Sequence, residues 1–350
     1  MGKKITPISE LGEFKLIEKL TSNAPKYYSE IIMGIGDDAA VIKSTSENYL
    51  LITTDLLTEG IHFNLVYTPL KHLGYKAVAV NLSDIAAMNG TPKYITVSLA
   101  VSSKFSVEAL EQLYEGIYAA CKKYKVELIG GDTSSSLTGM TLSITAIGEV
   151  HPHKICYRNG AKLNDLVCVT GNLGASYLGL QLLEREYRLF KDSPEIQPDF
   201  STKEYLLERQ LKPEPRFDVL KALSDANITP NAMIDISDGL SSEINHICKA
   251  SNKGAKIYAH KIPIDAVTAI TAEEFNMSPE TAAIHGGEDY ELLFTTSLDN
   301  LNKLLNIPSV SIIGKITDPS EGIHLVLNEG NEIDLSSKGW DAFLPKKEET

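Results

Sequence analysis

Residues 76–88, KAVAVNLSDIAAM, hold a polar NLSD step inside an otherwise apolar run free of glycine and proline. Such a run reads as a strongly apolar helix, buried in a core. A carboxylate is rarely buried without a partner or a metal, so Asp84 marks this helix as more than packing. It is flanked by two β-rich apolar runs, YLLITT at 49–54 and YITVSLAV at 94–101. Strand, buried helix and strand together indicate a layered fold of sheets and helices.

The same alternation continues in both directions. Residues 9–20 (SELGEFKLIEKL) read as an amphipathic helix with Ser9 as N-cap and Leu11, Phe14, Ile17 and Leu20 on one face. A long amphipathic helix is expected over 106–124, then strands at VELIG and at 141–148. Beyond residue 150 come strand DLVCVTG (165–171), helix GASYLGLQLLERE, and a Pro- and charge-rich stretch, 191–216, that reads as a loop. Helix 217–226, strand AMIDIS, helix 239–252 and strands AKIYAH and ELLFTT follow. The fold class expected is α/β (α+β) in two domains, 1–150 and 151–350.

Composition narrows the function. The net charge of −13, with no basic block longer than a lysine pair such as Lys346 and Lys347, disfavours nucleic acid as a partner. No apolar run approaches the ~20 residues of a membrane span, and the N-terminal segment lacks an apolar signal region. The four cysteines are scattered without a CxxC pair, which fits a reducing, cytoplasmic setting.

Acidic residues recur beside Gly, Ser or Thr where apolar runs end: GIGDDAAV (34–41), LLITTDLLTEGIHF (50–63), AVNLSDIAAM (79–88), LIGGDTSS (128–135), MIDISDGLSS (233–242) and HGGEDYELLF (285–294). A strand holds such an Asp at a fixed position, glycines admit a ligand to the backbone, and hydroxyls add neutral oxygens. Hard Mg²⁺ takes oxygen ligands and often binds through one or two carboxylates plus substrate phosphates. Converging loops of this kind suit metal-assisted phosphoryl transfer. The P-loop, the GxGxxG helix opening, the HRD and DFG set, GxSxG and HExxH are all absent.

In this order, with EGIHF and GGEDYEL among them, the loops resemble the thiamine-monophosphate kinase family of the AIR synthetase-like superfamily over about residues 10–344. The resemblance implies an N-terminal α/β domain paired in a homodimer, a C-terminal α/β domain, and a cleft between them using ATP and several Mg²⁺ ions. It implies metal ligands at Asp38, Thr53, Thr54, Asp55, Asp84, Asp132, Asp235 and Asp238, with Asp55, Asp84 and Asp132 central to catalysis. ATP contacts are implied at Gly131, Asp132, Arg158, Ser237 and Tyr114, and thiamine phosphate contacts at His62, Glu288 and Trp340. Where several members carry a basic residue soon after GGDT, this chain has Ser134, Ser135 and Ser136. The rival readings are another ATP-dependent synthetase of the superfamily and a non-catalytic nucleotide- or metal-binding scaffold.

Overall fold

The computed structural model describes residues 7–44, 47–195 and 197–335. One sheet is built from β1 (Ile31–Met33), β2 (Ala40–Lys43), β3 (Tyr49–Thr58), β4 (Thr91–Val101), β5 (Glu127–Ser135) and β6 (Thr141–Val150), in the order β1-β2-β3-β6-β4-β5. All its pairs are antiparallel except β4 with β5. The second sheet takes β7 (Leu166–Thr170), β8 (Ala232–Asp235), β9 (Gly254–Tyr258), β10 (Leu292–Thr296), β11 (Val310–Thr317), β12 (Ile323–Val326) and β13 (Glu332–Asp334), in the order β13-β12-β9-β11-β7-β10-β8. Helices α1 (Gly12–Thr21), α2 (Leu70–Ala87) and α3 (Val107–Tyr124) accompany the first sheet in sequence. Helices α4 (Ala175–Asp192), α5 (Glu204–Leu211), α6 (Phe217–Asp225), α7 (Leu240–Ser251), α8 (Ala266–Glu274) and α9 (Pro279–His285) accompany the second.

Helix α2 is the KAVAVNLSDIAAM run, and NLSD does not interrupt it. Every residue from Leu73 to Ala87 except Asp84 is buried. Val78, Leu82 and Ile85 join the first sheet's core with Leu51, Ile95 and Ile144. Ala86 and Ala87 instead meet Cys168, Met233, Leu292 and Phe294 of the second sheet. An all-apolar helix needs cover on every side, and α2 finds it by lying between the two sheets.

Two sequence expectations need correction. Ser9 is not an N-cap: it lies in a 3₁₀ turn (Ile8–Glu10), and α1 starts after Leu11, whose side chain accepts no capping bond. The apolar face of α1 stays largely open, with Leu20 72% exposed, although Phe14 packs edge-on to His246 with ring centroids 4.7 Å apart. The stretch 191–216 is not all loop, since it contains α5. Pro213 and Pro215 mark only the break after this helix, and its buried side is short, Leu206 and Gln210.

Helices α2 and α3 cross at two glycines. A Cβ on Gly74 would lie 2.0 Å from the Leu113 carbonyl oxygen, and one on Gly116 would lie 1.9 Å from that of Lys71. Backbone cannot yield like the end of a side chain, so Gly116→Ala should push α2 out of place and cost about 1–3 kcal/mol or more. A lowered urea midpoint checks this, and an unchanged midpoint rules out so close a crossing.

Candidate active site

Four carboxylates from four chain segments converge around α2. Asp38 lies in the turn before β2, Asp55 on β3, Asp84 on α2, and Asp235 ends β8 of the other sheet. Carboxylate oxygens of Asp38, Asp84 and Asp235 all lie within 4.8 Å of one another. Thr53 faces the same side of β3 as Asp55, and its hydroxyl donates to Asp84 Oδ2 at 2.5 Å. Ser83 Oγ donates to Asp235 Oδ2 at 2.6 Å, joining α2 to the second sheet. The backbone N–H of Asp55 donates to Asn81 Oδ1 at 3.0 Å, joining α2 to the first. The polar letters N, S and D of NLSD thus each hold one part of the site.

Arg158 closes one side: its Nη2 donates to Asp38 Oδ1 at 2.6 Å, and its Nε lies 3.7 Å from Asp37 Oδ1. Asp38 Oδ2 is buried without a hydrogen-bond partner. An orphaned carboxylate oxygen inside an all-oxygen cluster is the donor set of a hard cation.

The acids strain against one another. Burial, then the charges of Asp55, Asp235 and Asp38, push the Asp84 carboxyl well above its ordinary value. Burial and the Asp38 charge raise Asp235 to about 7, against the opposing bond from Ser83. Burial alone lifts Asp55 to about 6. Burial and Asp38 bring Asp37 to about 7, with Arg158 pulling the other way.

The remaining expected site residues fall into separate groups. Ser237 and Asp238 follow β8 on the same loop as Asp235; the Ser237 carbonyl accepts from Glu288 N–H at 2.7 Å, and Asp238 N–H donates to Glu243 Oε1 at 2.8 Å. His62 sits in the turn after β3, where its Nδ1 accepts from Thr58 N–H at 3.0 Å. Burial lowers its pKa, and the Glu288 carboxylate opposes that shift. Glu288 pairs with Lys76 at 2.9 Å. Tyr114 packs against Tyr118 on α3, with ring centroids 5.9 Å apart, and among the described residues no contact joins it to the carboxylates. Trp340 lies outside the described residues.

Within one chain, Thr54 and Asp132 do not reach the cluster. The ladder aligns Asp132 with Ser98, Ser143 and Leu56, the row whose side chains point away from α2. Three strand spacings separate β5 from β3, about 14 Å along the sheet. Thr54 points to that outer face too, bonded with Ser143 and Thr145. Gly131 has a local reason to be glycine, because a Cβ there would lie 1.9 Å from the Val97 carbonyl oxygen.

Sequence reasoning missed Lys76, Gln210 and Glu243. Lys76 carried the signal used for Asp84, a charge in an apolar helix. Glu243 sits in an amphipathic helix, where a glutamate attracts no notice, yet it is buried, and burial and the Asp238 charge raise its pKa far above the ordinary value.

The sign of the pH dependence follows. Between the unfolded value of 3.8 and about 7, the folded chain keeps a proton on Asp235 that the unfolded chain has shed. Raised carboxyls therefore stabilise the fold fully below the unfolded pKa, and that stability is lost as pH rises through the folded value. With chelator present, Tm should fall from about pH 5.5 to about pH 8, and Asp84→Asn should flatten the fall. A Tm that rises over this range would contradict the cluster.

Comparison with known proteins gives the family. The family "AIR synthase related protein, N-terminal domain" matches residues 36–150. A thiamine-monophosphate kinase of Buchnera aphidicola subsp. Schizaphis graminum is 40% identical, covering 96% of this chain and 100% of its own. That of Bacillus subtilis is 35% identical, covering 95% of this chain and 100% of its own. The solved structure of AaThiL complexed with AMPPCP and TMP superposes with a TM-score of 0.82 at 32% identity, over 97% of this chain and 100% of that one. The chain belongs to the thiamine-monophosphate kinase family.

Proposed function

We propose that this kinase carries out ATP + thiamine phosphate → ADP + thiamine diphosphate at the Asp38–Asp55–Asp84–Asp235 cluster, with several Mg²⁺ ions. The buried cluster, with its unsatisfied Asp38 oxygen, is the observation that carries the reading. The relative solved with AMPPCP and TMP supports the pair of substrates.

Asp38, Asp55, Asp84 and Asp235 would hold the metal, which when bound neutralises phosphate charge and orients the triphosphate. Thr53 and Ser83 each donate to one carboxylate and so fix which oxygens face the cleft. Arg158, already charge-paired with Asp38, brings a guanidinium to the phosphate side. Ser237 and Asp238, on the loop that begins at Asp235, flank the nucleotide. His62 and Glu288 form the acceptor end: Glu288 meets the cationic ring, and His62 meets the phosphate. An oxygen of the acceptor phosphate bonds to the γ-phosphorus while the bond to the β–γ bridging oxygen breaks, releasing ADP. That phosphate oxygen is already ionised near neutral pH, so no strong general base is needed.

The first sheet supports a homodimer. Its outer face exposes Leu56 (56%) and Ile129 (54%), and β5 is an open edge. Exposed edges and apolar faces are normally covered. Pairing by these surfaces would let the partner's Asp132 complete a site that this chain's own Asp132 cannot reach. We further assign residues 1–150 and 151–350 to two domains and the enzyme to the cytoplasm; no helix among the described residues is long and apolar enough to cross a membrane.

Asp84→Asn should leave the fold intact and cut kcat for ADP release with thiamine phosphate by at least ~10²-fold; near-normal turnover with Mg²⁺-ATP would refute the cluster as the catalytic centre. Light scattering should give about twice the 38.3 kDa chain mass, and an active monomer at micromolar concentration would refute the shared site.

A further inference from the structure

Lys76 lies in the buried run of α2, and its side chain is only 4% exposed. A lysine this deep needs its charge answered. Its Nζ is 2.9 Å from Glu288 Oε1 and donates to the Gln210 carbonyl at 3.1 Å. The other Glu288 oxygen, Oε2, accepts from Gln210 Nε2 at 2.9 Å. Gln210 is fixed in turn, because its Oε1 accepts from Ser176 Oγ at 2.5 Å. The Glu288 backbone is also constrained, in the left-handed region at φ 64°. Both oxygens of this carboxylate are held from behind while its side chain keeps 27% of its surface open.

We propose that Lys76, with Gln210, is the positioning pair for Glu288, and that the Lys76 ammonium makes the acceptor end prefer a phosphorylated cation over an unphosphorylated one. This rests on the acceptor reading given above. A bare carboxylate attracts any cation. A carboxylate paired with a buried ammonium keeps its direction but presents little net charge. Thiamine phosphate, cationic at the ring and anionic at the phosphate, satisfies both signs. Unphosphorylated thiamine brings only the cation, and the nearly neutral Lys76–Glu288 pair offers it little net attraction.

Lys76→Met keeps an unbranched stem and removes the charge, and Glu288, partly exposed, can turn to water. KM for thiamine phosphate should rise roughly tenfold and the inhibition constant of unphosphorylated thiamine should fall severalfold, with KM for ATP within about twofold. Lys76→Arg should retain the preference. Gln210→Met should raise KM for thiamine phosphate by a smaller factor without tightening thiamine binding. If Lys76→Met does not fold, these two variants decide, and wild-type constants for Gln210→Met overturn the proposal. Equal weakening of both acceptors, or of ATP as well, would reduce Lys76 to a structural residue and overturn it too. Glu288→Gln separates the two levels. An unchanged KM for thiamine phosphate there would sink the acceptor reading itself. A raised one, with the preference intact in Lys76→Met, would sink only the positioning role.

Discussion

Helix α2 runs between two sheets with water excluded from nearly every face, so its polar side chains answer to the protein rather than to solvent. Lys76 reaches Glu288, Asn81 reaches β3, Ser83 reaches Asp235, and between Leu73 and Ala87 only Asp84 keeps exposed surface. Burial is what gives these contacts their force: in a low-dielectric interior, hydrogen bonds and charge pairs strengthen, and unpaired groups become costly. The Gly74–Gly116 crossing holds the helix at the depth where these reaches succeed.

The carboxylate cluster works against the stability of the bare fold. Asp38, Asp55, Asp84 and Asp235 repel one another, and Arg158, Thr53 and Ser83 offset part of that repulsion. Mutual repulsion of this kind is common where a site is shaped for a ligand rather than for the empty chain. The GGEDYEL loop shows a different economy. Glu288 stays partly exposed beside Lys76, Asp289 accepts from the Gly174 N–H at the start of α4, and Glu291 pairs with Arg209 and Arg216. On the proposed reading one acid serves the site, while the other two hold the scaffold around it.

Much of this was legible in the sequence, for identifiable reasons. Asp84 stood out because an apolar helix should not contain a carboxylate, and the strand-end acids because glycine and hydroxyl neighbours flanked them. Lys76 offered the same contrast but sits at the first position of the run, where a lysine reads as an ordinary helix boundary. Helix α5 was hidden by the prolines just after it. The separation of Asp132 from Asp55 could not be read from motifs, because it depends on strand order. Sequence places β5 close to β4, whereas only the folded sheet inserts β6 between β4 and β3. Which face a strand residue takes follows from alternation, but which strands lie between two faces does not.

The sharing of α2 between both cores also limits how the molecule can move. Two lobes joined by a hinge can swing apart to exchange ligands. Here a swing would pull Ala86 and Ala87 from Met233 and Phe294, and break Tyr75 from Glu214, Ser83 from Asp235 and Lys76 from Glu288. Those losses fall together on one rigid rod rather than on a few pliant backbone angles. Opening the two sheets would cost all of these contacts at once, whereas movement of the short loops at the strand ends would cost few of them.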